Sequence, residues 1–260
     1  MTFQIFAQTH GLIITDIVLD RWTRVPTQDH PHKKNGAYIY DGQSGAVQNW
    51  AIHDKPIVFH SGEPYNPVER KLKSEKAELE RQKRREYAAR KAVSIISQST
   101  EQTHPYLFKK GFNCNGLVYD NDLIIPMRIN SQIVGCQRIS PEGEKKFLYG
   151  QQTKGASCGF DAGGRVILTE GYATALSVRR SLRTVGVRYK IYVCFSAANI
   201  LEIASPGCVI IADNDPVGIK TAQKSGCVYW LSDVEGEDAN DYELRLGSKN
   251  LGLGIAELLV

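Results

Sequence analysis

From Arg165 onward, short apolar runs alternate with helical patterns, and this alternation constrains the fold more than any other feature of the sequence. Helical patterns at residues 172–182 and 217–225 lie between the apolar runs. The apolar runs predict buried strands at residues 165–169, 190–195, 208–212 and 227–231. Such alternation is typical of a largely parallel sheet flanked by helices. We therefore expect an α/β fold in this part of the chain.

Two of these predicted strands end in acidic residues. The first is followed by Glu170, and the third is followed by Asp213 and Asp215. In an open parallel sheet, the carboxyl ends of neighbouring strands line one crevice. Gathered carboxylates repel one another unless cations are present, and a cluster of oxygen ligands suits Mg²⁺ or Mn²⁺. Each acid alone is explained as well by a helix cap or a solvated loop, but the joint pattern predicts a metal site suited to phosphoryl transfer.

The rest of the chain shows other patterns, so the overall class is α+β. Residues 1–67 predict a small module, with a helix-like start and β-like pieces at 37–40 and 47–52 on either side of a turn. Residues 68–103 predict a basic helical connector, and residues 104–163 predict a β-rich, basic subdomain with strands near 123–125, 132–136 and 146–149. Residues 164–260 form the predicted α/β domain.

The positive charge is concentrated in the connector. The chain has a formal net charge of +4, and the segment from Glu69 to Lys91 holds ten Lys or Arg residues against five Glu. This segment is either a solvated helix or an arm that contacts phosphates, and the sequence leaves both interpretations open.

Composition also bears on zinc, membranes and compartment. The six cysteines include no Cys-x-x-Cys pair, and His30 and His32 lack partners for a four-ligand zinc site, so we expect free thiols and no zinc. No apolar run approaches the roughly 18–20 residues of a membrane span, and no secretory signal begins the chain. These patterns favour a cytoplasmic protein without a membrane partner. No P-loop motif is present, so a helicase motor would be a separate protein.

Three segments resemble the motifs of a known family. Glu170-Gly-Tyr-Ala-Thr-Ala175, Ala212-Asp-Asn-Asp-Pro-Val-Gly218 and Gly236-Glu-Asp238 resemble the three motifs of the Toprim domain. That domain is shared by bacterial-type primases, topoisomerases and some nucleases. The residues of the motifs here are similar to those in the primases of phages and plasmids. The resemblance implies that Glu170, Asp213 and Asp215 are catalytic and hold Mg²⁺ or Mn²⁺, with Asp238 as a further metal ligand.

The resemblance extends upstream to basic residues and covers residues 104–246. Leu123-Ile-Ile-Pro-Met-Arg128 is similar to a primase strand that ends in Pro-Ile-Arg, and Arg138 follows at the spacing of a second arginine. Lys146-Phe-Leu148 resembles a Lys-Tyr-Leu element, and Thr153-Lys-Gly155 resembles a later Lys-Gly. The resemblance implies that Arg128, Arg138, Lys146 and Lys154 bind the template or the incoming nucleotide. Arg128 or Arg138 alone is equally well explained as a surface charge on a strand.

Residues 1–67 match the family more loosely, through Asn35–Tyr38 and Gly45–Trp50, and lack the zinc ribbon that many primases carry there. Two interpretations of this module stay open. Either its aromatic residues form a small core, or they stack on single-stranded DNA beside Lys33 and Lys34. The aromatic residues in question are Trp22, Tyr38, Tyr40 and Trp50.

The sequence therefore predicts a DNA primase, which synthesises short RNA primers on single-stranded DNA from ribonucleoside triphosphates. A separate replicative helicase is an expected partner. A Toprim nuclease is the first alternative, because the same carboxylates serve hydrolysis. The second is a non-catalytic module that binds nucleic acid mainly through the basic helix.

Overall fold

The computed structural model describes residues 1–62 and 67–259. The chain divides into two compact units, an amino-terminal unit (Met1–Ser74) and a carboxyl-terminal unit (Glu75–Val260). The division falls within the long helix α2 (Pro67–Gln98), inside the predicted connector. The predicted β-rich subdomain and the predicted α/β domain both belong to the carboxyl-terminal unit, and a domain boundary between them stays a prediction.

The amino-terminal unit is one helix and an antiparallel sheet. Its elements are α1 (Phe3–Thr9), β1 (Thr23–Val25), β2 (Gly36–Tyr40), β3 (Ser44–Asn49) and β4 (Ile57–His60), with the strands in sequential order across the sheet. Phe3 and Ala7 of α1 pack against Tyr38, Val47 and Phe59 to form a separate core. Helix α1 begins after Thr2, whose hydroxyl accepts a hydrogen bond from the amide of Ile5, as expected of an N-cap.

The predicted turn at residues 41–45 is a hairpin connection, but the strand after it begins earlier than predicted. The carboxylate of Asp41 accepts hydrogen bonds from the amides of Gln43 and Ser44, at 2.9 and 2.6 Å, and so closes the turn. Strand β3 ends at Asn49, not at Ile52, because the Asn49 side chain accepts from the amide of Ala51 and its carbonyl accepts from His53.

The carboxyl-terminal unit begins with a second antiparallel sheet. Its elements after α2 are β5 (Thr100–Gln102), α3 (Pro105–Lys109), β6 (Gly116–Tyr119), β7 (Asp122–Ile129), β8 (Gln132–Ile139) and β9 (Lys145–Phe147). The strands follow sequential order, and two tight turns join β6 to β7 and β7 to β8. Both turns place consecutive polar residues at positive φ, Asp120–Asn121 and Asn130–Ser131, as type I′ hairpins require.

The second half of α2 packs on one face of this sheet. Ala88, Ala92 and Ile95 form a buried cluster with Ile124, Cys136 and Leu148. The basic segment is therefore not a fully solvated connector over this stretch, since small and apolar residues at helical spacing bury one of its faces.

A largely parallel sheet follows. Its elements are β10 (Cys158–Asp161), β11 (Val166–Thr169), α4 (Tyr172–Thr184), β12 (Lys190–Val193), α5 (Ala197–Ile203), β13 (Val209–Ile211), α6 (Pro216–Ser225), β14 (Val228–Trp230), α7 (Ala239–Leu246) and α8 (Ser248–Ala256). The strand order is β10-β12-β11-β13-β14, with only β10 antiparallel to its neighbour among these strands. The predicted α/β fold of this region is confirmed.

The parallel sheet is covered on both faces. Ile167 and Ile211 belong to a cluster with α4 and α8, while Leu168 and Ile210 belong to a cluster with α5 and α6. Successive residues of a strand point to opposite faces, which explains why consecutive residues in the centre of these strands are apolar. The first cluster also contains Ile125 and Ile139 of the antiparallel sheet, so the two sheets share one core.

An ion pair between a buried carboxylate and a partly exposed arginine links two of these helices. The carboxylate of Glu243 in α7 accepts hydrogen bonds from Nε and Nη2 of Arg180 in α4, both at 2.6 Å, and one from Ser248. The buried Glu243 carboxylate needs such partners, because an unpaired buried charge is costly.

Over the two described stretches of chain, every helix is too short or too polar to cross a membrane.

Candidate functional site

The acidic residues Glu170, Asp213 and Asp215 follow two adjacent strands of the parallel sheet. Strand β11 ends at Thr169 and strand β13 ends at Ile211, and the two strands are paired in parallel. Their carboxyl ends therefore lie side by side, as the sequence predicted. Electrostatic coupling shows that the carboxylates are neighbours, because Glu170 and Asp215 both raise the pKa of Asp213.

The pKa of Asp213 is strongly raised. Burial, and secondarily the negative charges of neighbouring carboxylates, raise the pKa of Asp213 to about 7. In decreasing order, those neighbours are Asp238, Glu170 and Asp215. The Oδ1 atom of Asp213 is buried and has no hydrogen-bond partner within the described residues. An ionised oxygen of this kind costs free energy unless a donor or a cation compensates it.

Glu170 is half-buried at the end of β11. Burial is the main cause that raises the pKa of Glu170, and the charge of Asp215 adds to it, whereas Lys145 opposes it. The Glu170 carbonyl accepts a hydrogen bond of 3.0 Å from the amide of Phe195. Phe195 has φ +68°, an unusual conformation for a bulky residue, and such strain often marks functional sites.

Asp215 and Asp238 are helix caps, which confirms the structural alternative for these two residues. Asp215 caps α6 and accepts a 2.6 Å hydrogen bond from the amide of Gly218, and Asp238 caps α7 in a capping box with Asp241. Each cap uses one carboxylate oxygen for those bonds, so capping and metal binding are compatible roles. Glu170 and Asp213 cap no helix, because Gly171 and Asp215 occupy those positions.

The backbone around Asp213 explains the residues that follow it. A Cβ at Gly218 would lie 2.2 Å from the carbonyl oxygen of Asp213, so only glycine fits there. Asn214 links this loop to the loop after β14. Its backbone N–H donates to the Glu237 carbonyl, and its side-chain Nδ2 donates to the Ser232 carbonyl. These bonds hold Asp238, two residues after Gly236, beside Asp213.

The predicted basic residues make other contacts. Lys146 pairs with Glu144 at 2.9 Å, and Lys154 pairs with Glu202 at 3.2 Å. Arg138 pairs with Asp122 at 2.7 Å and with Asp120 at 3.3 Å. Arg128 donates to the Ser131 carbonyl at 3.1 Å. None of the four is among the main charges that shift the pKa of Glu170 or Asp213.

Lys145, which the sequence analysis missed, is the cation that acts on the acidic residues. Its charge lowers the pKa of both Glu170 and Asp213, against the larger effect of burial. Strand β9 pairs Lys145 with Ile139 and Lys146 with Arg138, so the two lysines point to opposite faces. Ile139 belongs to the core shared by both sheets, which places Lys145 on the side of the parallel sheet. Two adjacent lysines carry no sequence signal that distinguishes these faces.

The residues present fit a divalent cation. Glu170, Asp213 and Asp215 supply oxygen ligands only, and the unpartnered Oδ1 of Asp213 is the kind of atom that a cation would satisfy. Within residues 1–62 and 67–259, no three His, Cys, Asp or Glu side chains are already arranged as a metal-holding group. Asp233 and Glu237 are occupied by Arg245, which removes them from the set of free carboxylates.

In the amino-terminal unit, two of the four aromatic residues belong to the core and two are exposed. Tyr38 is fully buried, and Tyr40 stacks on Phe3 with ring centroids 4.2 Å apart, so both serve the core. Trp22 and Trp50 are exposed, and the guanidinium of Arg24 lies over the Trp50 ring at 4.0 Å.

Compared with models of known protein families, this chain matches none. The resemblance to Toprim primases therefore depends on the motif residues quoted above.

Proposed function

We propose that this protein is a nucleotidyltransferase of the DNA primase type, a member of the Toprim group that synthesises primers on single-stranded DNA. The observation that carries the proposal is the set of carboxylates at the ends of β11 and β13, with Asp213 buried and unpartnered. Those carboxylates gain a cationic neighbour in Lys145. Acids gathered at one sheet edge suit chemistry on phosphate groups, where metal ions and basic residues offset charge together.

In this proposal Glu170, Asp213 and Asp215 hold Mg²⁺ or Mn²⁺, and Asp238 adds negative charge beside them. The bound metal would supply activation of the primer hydroxyl and neutralisation of the triphosphate. Lys145 would bind an oxygen of the incoming nucleotide, because it is the cation nearest the acids in its electrostatic effect. Burial of Asp213 limits competition from water.

A metal-dependent nuclease remains the second candidate, and a specific observation favours it. Arg128, Arg138, Lys146 and Lys154 are not among the main charges that shift the pKa of Glu170 and Asp213, so the acids have fewer cationic neighbours than triphosphate binding would favour. Hydrolysis needs no triphosphate and therefore fewer cations. A non-catalytic module is the third candidate, and it predicts binding of nucleic acid without chemistry that depends on Mg²⁺.

One assay separates the three candidates. The full chain is incubated with labelled single-stranded DNA, ribonucleoside triphosphates and Mg²⁺, and the products are resolved by length. A primase makes new RNA oligomers, a nuclease shortens the DNA, and a binding module does neither.

Asp213→Asn is the variant that tests the site in this assay. We expect a loss of at least about 100-fold in product formation, because a metal ligand contributes several kcal/mol to the transition state. Asp161→Asn is the matched control, since Asp161 is exposed and pairs with Lys190 at 3.1 Å. Circular dichroism checks the fold of both variants. Full activity of Asp213→Asn would contradict the proposal.

A further inference from the structure

A cleft in the carboxyl-terminal unit lies between helix α2 and the loop that follows strand β9. We call it the α2 cleft. Its volume is about 230 Å³, and it is lined by Lys83, Arg84, Tyr87, Ala88, Lys91, Leu148 and Tyr149. It lies outside the acidic site, and it includes part of the basic segment that the proposed function does not use.

The walls of the α2 cleft are fixed by packing. Ala88 and Leu148 belong to the buried cluster beneath it. Gly150 has φ +78°, and a Cβ there would lie 2.9 Å from the Cβ of Arg84. The turn after β9 can therefore approach the helix this closely only with glycine, and this contact sets the separation of the two walls.

The lining combines positive charge with exposed aromatic rings. Lys83, Arg84 and Lys91 supply the charge, and the lining residues include no carboxylate. Lys83 pairs with Glu80 at 3.1 Å, but both side chains are exposed, and such pairs are weak and exchange readily. The rings of Tyr87 and Tyr149 are 63% and 82% exposed, and Nη1 of Arg84 lies 3.2 Å from the Tyr149 hydroxyl.

Cations beside exposed rings match the chemistry of an unpaired nucleic-acid strand. Phosphates are neutralised by lysine and arginine, while bases stack on aromatic faces with about 1–3 kcal/mol per base. A duplex hides its base faces, so the rings would contribute little to duplex binding. An acidic protein surface would use the charges but would leave the two exposed rings without a comparable partner.

Strand β9 runs along the chain from Lys145 toward the lining of the α2 cleft. Arg138 and Lys146 lie opposite each other on the α2 face of the sheet, because Cys136, two residues before Arg138, packs against α2. Lys145 faces the acids instead. Tyr149 is four residues beyond Lys145, which corresponds to at most about 14 Å of extended chain. The Phe147 ring between them contacts the Phe195 ring, with centroids 6.3 Å apart.

We infer that the α2 cleft binds a single strand of DNA, with bases stacked on Tyr87 and Tyr149 and phosphates held by Lys83, Arg84 and Lys91. Binding of the strand does not require catalysis by the acidic site. The further statement, that this strand is the template led along β9 to the carboxylates, rests on the proposed function.

The test is fluorescence anisotropy of a labelled oligo(dT) probe with the full chain, in EDTA and without nucleotides, over a series of salt concentrations. We expect Tyr149→Ala to weaken binding about 5- to 150-fold, which corresponds to the loss of one stacked base. Lys91→Ala should reduce the slope of log affinity against log salt by about 0.7, the value for one phosphate contact on a single strand.

Controls separate stacking from damage to the fold. Tyr149→Phe keeps the ring and loses the contact with Arg84, so it should bind within about twofold of the unmodified chain. Phe108→Ala and Lys249→Ala are matched controls, because both residues are exposed and lie outside the α2 cleft. Circular dichroism should be unchanged in all variants.

Two results would overturn the inference. One is an unchanged affinity in the double variant Tyr87→Ala/Tyr149→Ala. The other is equally tight binding of a duplex of the same length. Failure of the proposed function gives a different result. If the chain makes no primers but its binding of oligo(dT) still depends on Tyr149, the inference about the α2 cleft stands and the primase proposal does not.

Discussion

At the residue scale, Asp213 carries two opposing requirements. Its strand must be buried for the sheet to form, yet its carboxylate is useful to a cation only when it is ionised. Burial and three acidic neighbours raise its pKa to about 7, so the ionised form is costly in the metal-free protein. In the proposed function, a divalent ion bound there would stabilise the folded state.

The stability of the metal-free protein should therefore depend on pH through Asp213. The folded-state pKa of about 7 lies above the ordinary value of 3.8, so the folded state binds this proton more tightly than the unfolded state does. The contribution is present in full below the unfolded value, is lost as pH rises from about 4 to 7, and stays lost above that range. Denaturant unfolding in EDTA at a series of pH values measures it.

The variant that isolates this effect is Asp213→Asn, which cannot ionise. At pH 8 it should be more stable than the unmodified chain by roughly 2 kcal/mol, a value discounted for partial solvent screening, and should lack the corresponding slope. Asp161→Asn again serves as the control. Identical pH profiles for the unmodified chain and Asp213→Asn would contradict the burial of this charge.

At the element scale, strand β9 decides which lysine faces the acidic residues. Alternation along a strand sends neighbouring side chains to opposite faces, and the pairing of Lys145 with Ile139 fixes the register. A shift of one residue would exchange the roles of Lys145 and Lys146. The resemblance pointed to Lys146, whereas the structure places the charge of Lys145 near Glu170 and Asp213.

Adjacent substitutions in β9 test this assignment. Lys145→Ala should lower the rate of product formation about 10- to 100-fold at limiting nucleotide, because it removes a charged contact to phosphate. Lys146→Ala, which breaks only an exposed pair with Glu144, should stay within about threefold. Initial rates as a function of nucleotide concentration measure both. A larger effect of Lys146→Ala than of Lys145→Ala would indicate that Lys146, as the resemblance implies, contacts the nucleotide.

Two helix starts combine capping with an electrostatic effect on Asp213. Asp215 and Asp238 cap α6 and α7, and capping orients their backbone at the carboxyl edge of the sheet. The caps thereby hold two carboxylates near Asp213, and both charges raise its pKa.

At the scale of the whole molecule, the two compact units have separate cores. Phe3, Tyr38 and Phe59 anchor the amino-terminal core, and none of the residues of that cluster belongs to the clusters of the carboxyl-terminal unit. The Tyr38 hydroxyl accepts a hydrogen bond from the Val18 amide at 2.8 Å and donates one to the Asp16 carbonyl at 3.1 Å.

Separate cores predict that damage to one unit stays local. Tyr38→Ala in the full chain should destabilise the amino-terminal unit by about 3–5 kcal/mol, because it removes a fully buried aromatic side chain. Hydrogen exchange should then speed up at residues 1–62 and stay unchanged in β11 and β13. Trp22→Ala, at an exposed position, is the control. Faster exchange in both units would show that their stabilities are coupled.

Much of the carboxyl-terminal unit could be predicted from sequence. The runs at 166–168 and 208–212 are apolar at every position because both faces of their strands are covered, and this signal is local. The acids at their ends follow from chain order alone. By contrast, β1 and β4 are three and four residues long, and their pairing depends on contacts distant in sequence, so no local pattern indicated them.

The contacts of the basic residues could not be predicted from local sequence. Sequence determined that this region is basic and β-rich, and that Glu170, Asp213 and Asp215 would meet at one edge, because strand direction and order suffice for that. Only the tertiary structure decided that Lys145 faces the acids, that Arg138 pairs with Asp122, and that α2 packs on the sheet to form the α2 cleft. The physical reason is that the facing of a charged side chain is set by strand register and by the packing of distant elements, neither of which a local pattern encodes.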